Sequence, residues 1–173
     1  MGTQEQIRLY RISQRYLTYL HQFEPKVMCH KEGMHDRPHL GILLQKGDHK
    51  YFAPISSYKQ KKHDKITNHS IFKILDENQT KIAVIQFNNM IPILESEITE
   101  IIFANEEERY KNFLQKEYLF IDKNSEEILR KADKLYKDVV EKKNPFFVRI
   151  SNDFTLLEEK YLDFKAVPEM KSL

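Results

Sequence analysis

Residues 40–59 read LGILLQKGDHKYFAPISSYK, and the fold turns on how they are parsed. Residues 40–44 (LGILL) form a short apolar run of the kind that fills a buried strand. Lys46-Gly47-Asp48 supplies turn chemistry, and residues 51–55 (YFAPI) return as the partner, so the stretch predicts a β-hairpin. Working outward, the pattern repeats. Residues 71–75 and 81–87 flank a turn at Asp76-Glu77-Asn78-Gln79 and predict a second hairpin. Upstream, residues 7–12 (IRLYRI) alternate as a short strand would, and Ser13 reads as the N-cap of a short helix with Tyr16, Leu17 and Leu20 on one face. Downstream, Asn88-Asn89 is a break, residues 90–94 are apolar, and residues 95–103 read as an acidic strand.

After Ala104 the period changes from strand to helix. Tyr110, Phe113, Leu114 and Ile121 recur at helical spacing, and Ser125 reads as the cap of a second helix. Its stripe is Ile128, Leu129, Ala132, Leu135, Tyr136, Val139 and Val140. Asn144-Pro145 reads as its end, and Asp153 as the start of a last helix with Leu156, Leu157 and Tyr161. The expected class is α+β, a small antiparallel barrel elaborated with helices. Residues 1–173 are expected to be one domain, with 7–104 mostly barrel and 105–165 a mostly helical extension.

Composition narrows the class without choosing a function. The chain has 173 residues, 40% hydrophobic and 31% charged, with only 4 Gly and 6 Pro, which fits a globular protein without long linkers. A net charge of +2 does not by itself point to nucleic acid. The single Cys29 has no internal disulfide partner, no apolar run reaches the roughly 20 residues that span a bilayer, and the start lacks a signal-peptide pattern. Gln6 stands where a myristoylation motif wants Ser or Thr. A cytoplasmic protein is expected.

The chemistry concentrates where the first hairpin ends. Ala53-Pro54-Ile55 is followed at once by Ser56 and Ser57, then by Lys59 and a basic run, Lys61, Lys62, His63 and Lys65. This resembles the Ala-Pro-apolar-Ser/Thr-Ser-x-Lys signature of the ToxN and AbiQ family of type III toxin–antitoxin toxins. The resemblance extends to Leu9-Tyr10-Arg11-Ile12-Ser13 leading to Tyr16, to Phe72-Lys73-Ile74-Leu75, to Asn88-Asn89-Met90-Ile91-Pro92-Ile93, and to Glu108-Arg109-Tyr110-Lys111-Asn112-Phe113-Leu114. These segments in this order cover residues 7–164.

The resemblance implies an SH3-like barrel of the Kid/MazF type. It implies an endoribonuclease that cuts single-stranded RNA without a metal or other cofactor, leaving a 2′,3′-cyclic phosphate and a 5′-hydroxyl. It also implies partners: a repeat-derived, pseudoknot-like antitoxin RNA that the toxin processes and that inhibits it in a closed ring with little toxin–toxin contact, and cellular or phage messages as substrates. By position, Ser57 and Lys59 fall on the family's active-site serine and lysine, Ser56 on its neighbouring hydroxyl, and Tyr16 on an aromatic lining the site. Arg37 is the nearest candidate for a basic residue before the Gly-Ile strand, and His35 or His39 for a tyrosine of some relatives.

Such a reaction deprotonates the 2′-OH, stabilises a charged phosphorane and releases the 5′-oxygen. Lys59 is suited to the charge and Ser57 to holding the scissile phosphate. His63, His35 and Tyr16 are candidate bases. Arg37, Lys61, Lys62, His63 and Lys65 are candidate RNA contacts, and Tyr10, Tyr16, Tyr51 and Tyr58 candidate stacking surfaces. Each has an ordinary alternative: a polar loop, a solvated lysine face, barrel tyrosines that simply pack. Cys29, His30, His35 and His39 match no zinc module spacing, and Glu95 and Glu97 read as a solvated face. The competing function is a non-catalytic RNA-binding barrel of the same fold.

Overall fold

The computed structural model describes residues 6–30 and 36–165. Strand β1 (Arg8–Ile12) leads into helix α1 (Gln14–Phe23), followed by β2 (His39–Lys46) and β3 (His49–Ser57). A one-turn helix α2 (Gln60–His63) precedes β4 (Ile71–Leu75) and β5 (Lys81–Gln86), and the short β6 (Ile91–Pro92) and β7 (Ile98–Glu100) complete the sheet. Helices α3 (Glu108–Lys123), α4 (Ser125–Val140), α5 (Pro145–Ile150) and α6 (Phe154–Lys160) follow.

The predicted hairpin is the centre of the sheet. β2 and β3 pair antiparallel, with Lys46 opposite His49 and Gly47 at φ +58°, a left-handed turn position that glycine takes without steric cost. The strand order is β4-β5-β3-β2-β1-β7. β3 is long enough to serve two neighbours on one side: Tyr51 and Phe52 pair with β6, and Ile55 to Ser57 pair with β5. The mixed α+β class holds, with an antiparallel sheet, but the sheet is not a closed barrel. No ladder among the described residues joins β4 to β7; α3 packs against β4 instead, so that edge is covered by a helix and not by a strand.

One core cluster joins the two halves of the chain. Leu9, Leu40, Ala53 and Ile85 of the sheet pack with Leu114, Ile121, Ile128, Ala132, Leu135 and Phe154 of the helices. The predicted stripe of α4 therefore faces the sheet. A second cluster packs Tyr16, Leu17 and Leu20 of α1 on Phe52, Ile91, Leu157 and Tyr161. Ser13 caps α1 as expected, its hydroxyl accepting from the Tyr16 amide.

Four local expectations change. α4 ends at Val140, capped by Glu141, and Asn144-Pro145 instead begins the next helix: the Asn144 side chain accepts from the amides of Phe146 and Phe147 and starts α5, with Pro145 in its first turn. Asn124, not Ser125, is the N-cap of α4. The acidic strand shortens to β7, because residues Glu95–Glu97 form a 3-10 turn. Glu97 is also not solvated: it is 4% exposed and takes two hydrogen bonds from Arg15 (2.7 and 3.0 Å) and one from the Ser13 hydroxyl. No described helix is long and apolar enough to cross a membrane.

Candidate active site

Ser57 is the last residue of β3 to pair with β5, opposite Ala83, and the Tyr58 amide carries the ladder one step further to the Ile82 carbonyl. Along this end the chain passes from buried Ile55 through half-buried Ser56 to exposed Ser57. Lys59 is exposed and still extended, at φ −120° and ψ 107°, so strand alternation sets its side chain on the same side as that of Ser57. The strand then stops because Lys59 becomes the N-cap of α2. Ser56 points the other way, where its hydroxyl accepts from Nε2 of Gln86 at 2.8 Å. Ser56 is thus a fixed neighbour of the site, and Ser57 the accessible hydroxyl.

Arg37 comes to the same end of the sheet. The Ile55 amide donates to the Pro38 carbonyl and His39 pairs with Pro54, which sets Arg37 in register with Ser56. Its guanidinium is half-buried, with no carboxylate in ion-pairing range among the described residues, and burial lowers its pKa. His30 holds this segment in place: Nδ1 accepts from the Arg37 amide at 3.1 Å while Nε2 donates to the Ile12 carbonyl at 2.9 Å. Sequence reading missed His30 and Gln86, whose partners lie 7 or more residues away and leave no local signal.

Several expected site residues are not surfaces for a substrate. Tyr16 is fully buried, its hydroxyl donates to the Pro92 carbonyl at 2.5 Å, and burial pushes its pKa up. Tyr51 is fully buried and donates to Glu158 at 2.6 Å. His39 is buried, donates from Nδ1 to the Arg37 carbonyl, and burial pushes its pKa down to about 3. His63 is 2% exposed and does not present its ring to RNA. His35 lies outside the described residues.

The remaining candidates divide. Lys61, Lys62 and Lys65 are exposed with no ion pair among the described residues, an open cationic rim beside Lys59. Tyr58 is half-buried, its hydroxyl donates to Asp64, and Lys81 sits over its ring. Tyr10 is half-buried with its ring 4.8 Å from that of Phe52. Nδ1 and Nε2 of His30 and Nδ1 of His39 are engaged with backbone, and no cluster of metal-ligating side chains occurs among the described residues. The resulting arrangement is an accessible hydroxyl and lysine on one side of a strand end, with a lysine rim beside them; Arg37, just before β2, lies at the same end of the sheet but opposite Ser56, on the other face. It is suited to binding a phosphodiester and stabilising added charge on it.

Comparison with known proteins identifies the chain. The sequence profile described as toxin ToxN, type III toxin–antitoxin system, matches residues 8–162. The chain belongs to the ToxN toxin family. Endoribonuclease ToxN of Bacillus thuringiensis subsp. kurstaki is 33% identical over 99% of this chain and 91% of its own length. Endoribonuclease AbiQ of Lactococcus lactis subsp. lactis is 29% identical over 89% of this chain and 87% of its own. In three dimensions the chain is similar to a type III system described as selective toxin inhibition by a non-coding RNA pseudoknot, with a TM-score of 0.85 and 33% identity over 94% of this chain and 100% of that one. It is also similar to the structure of AbiQ, described as a lactococcal anti-phage endoribonuclease, with a TM-score of 0.82 and 25% identity over 93% of this chain and 97% of that one.

Proposed function

We propose that this protein is an endoribonuclease toxin that cuts single-stranded RNA by attack of a 2′-OH on the adjacent phosphate, leaving a 2′,3′-cyclic phosphate and a 5′-hydroxyl. The observation that carries the reading is the pairing of exposed Ser57 with exposed Lys59 at the end of β3, in a chain that matches named endoribonucleases over nearly its whole length. Ser57 donates to a non-bridging oxygen of the scissile phosphate, and Lys59 stabilises the charge that grows on the phosphorane. Arg37, opposite Ser56 at the same end of the sheet, is a cation for the RNA chain beyond the scissile phosphate. Side chains thus provide the positive charge that this chemistry requires, and the reaction runs without a metal. The proton transfers do not pass through Tyr16, His39 or His63, which are buried. Much of the rate comes from holding the 2′-OH in line with the leaving oxygen.

The open sheet curled about β3 is read as an SH3-like barrel of the Kid/MazF type, left unclosed between β4 and β7. The exposed Lys61, Lys62 and Lys65 extend phosphate binding along the strand. The same surface takes a pseudoknot-like antitoxin RNA, cut from a repeat transcript by this site and retained as its inhibitor in a closed toxin–RNA ring. The inhibition described for the structural relative supports this reading.

The test is cleavage of end-labelled single-stranded RNA in EDTA by wild type, Ser57→Ala and Lys59→Ala, with the ends identified. Cutting by wild type alone, with cyclic-phosphate ends, is expected. RNA that binds all three proteins and is cut by none favours the non-catalytic barrel. Equal cutting by all three removes the site from this loop.

A further inference from the structure

Lysine is a poor residue for the position that Lys59 occupies. An N-cap is filled by Ser, Thr, Asp or Asn because their side chains accept from the helix's free amides, and an ammonium accepts nothing. Lys59 makes no side-chain cap to α2. The bond that ties down this turn comes from its other end, where Nδ1 of His63 accepts from the Lys59 amide at 2.8 Å. The His63 amide donates to the Lys59 carbonyl, also at 2.8 Å. The two residues are therefore bonded twice: by the first intrahelical bond, and by a side-chain bond that resembles one half of a capping box, with imidazole in place of the usual carboxylate or carboxamide and one position further on.

We propose that His63 is the positioning residue for the catalytic lysine: its ring clamps the Lys59 amide and fixes the backbone from which the lysine reaches the phosphate beside Ser57. This rests on the endoribonuclease reading above. His63 suits the task because it is nearly completely enclosed, with its ring 5.3 Å from that of Tyr58. It touches no substrate.

The clamp depends on the ring's protonation state. Because Nδ1 accepts, its one proton lies on Nε2, and adding a second would set N–H against N–H and break the bond. Burial, then Lys62 and Lys59 of its own segment and Lys73 of β4, lower the pKa of His63. The nearest acid in sequence, Asp64, is engaged by the Tyr58 hydroxyl and Lys81. The ring therefore keeps its neutral form to lower pH than a free imidazole does, and the lysine stays placed with it.

The experiment joins one structural and one kinetic readout on the full chain. In 15N-labelled protein, a coupling across the hydrogen bond between the Lys59 amide nitrogen and His63 Nδ1 is expected, lost when the ring protonates. For RNA cleavage, His63→Ala is expected to lower kcat about 100-fold with little change in KM, the size of a small misplacement of a reacting group. Asn presents an oxygen where Nδ1 stands, so His63→Asn restores most of kcat and removes the acid limb that the wild type's pH profile carries. If His63→Ala fails to fold, His63→Asn decides alone. An unchanged kcat in His63→Ala, an acid limb that persists in His63→Asn, or no coupling in the wild type overturns the proposal. A wild type that cuts no RNA overturns the endoribonuclease reading, and the clamp then has no catalytic lysine to place.

Discussion

Nε2 of His69 donates to Oδ2 of Asp138 across 2.7 Å, joining the end of the lysine-rich segment to helix α4. The ring packs 4.5 Å from that of Phe147 on α5, and Lys142 takes the other carboxylate oxygen at 3.1 Å. Both partners are largely buried, so the bond is a hydrogen bond to a shielded charge and worth about 2 kcal/mol. His69→Ala is expected to lower unfolding free energy by about that much in urea titrations, and to weaken RNA cleavage less than Lys59→Ala does. Unchanged stability would mean that the segment is held by its backbone alone.

His39 sets a pH dependence of stability. Its pKa is about 3 in the folded chain against 6.5 when exposed, so between these values the unfolded state binds the extra proton. Stability therefore rises with pH across that window and is lost as pH falls through it. His63 and His69, also lowered by burial, act in the same direction. Acid is expected to cost on the order of 4 kcal/mol at full extent. Urea midpoints measured from neutral pH downward check this, and His39→Gln should flatten the curve.

Glu117 has the opposite sign. It is 2% exposed on α3, one carboxylate oxygen has no hydrogen-bond partner, and burial raises its pKa from 4.5 to about 8. Between those values the folded state holds the extra proton, so Glu117 takes stability away as pH rises. Glu117→Gln is expected to gain on the order of 3 kcal/mol relative to wild type near pH 8 and much less near pH 5. A gain that does not grow with pH would show that the carboxylate finds a partner.

The hairpins, the α1 cap and the α4 stripe were legible because each is written in neighbouring residues. Periodicity, Gly47 and Ser13 specify them without reference to the rest of the chain. What was not legible depends on partners far along the sequence. Tyr16 belongs to the core because Pro92 offers a buried carbonyl, 76 residues away. Glu97 is enclosed because Arg15 and Ser13 reach it from α1's start. Asn144-Pro145 was ambiguous in principle, since the same pair can stop one helix and cap the next. At the proposed site, the family resemblance and not the Ser-Ser-x-Lys spacing alone pointed to Ser57 and Lys59, and the residues that hold their neighbours, His30 and Gln86, have no motif of their own.

The lysine rim offers a test that does not depend on turnover. Lys61, Lys62 and Lys65 are exposed and unpaired among the described residues, so replacing them costs the fold little, within about 0.5 kcal/mol each. If each contacts a phosphate of single-stranded RNA, each releases counterions, and each loss should reduce the slope of log affinity against log salt by about 0.7. Binding would be measured in Ser57→Ala, so that the RNA stays intact. The triple alanine variant is then expected to lower the slope by about 2. Lys81 is the internal control: it is tied to Asp64 at 3.1 Å and lies over Tyr58, so Lys81→Ala should leave the slope nearly unchanged. A triple variant with the wild-type slope would mean that RNA leaves the site by another face, and that these lysines only solvate the loop.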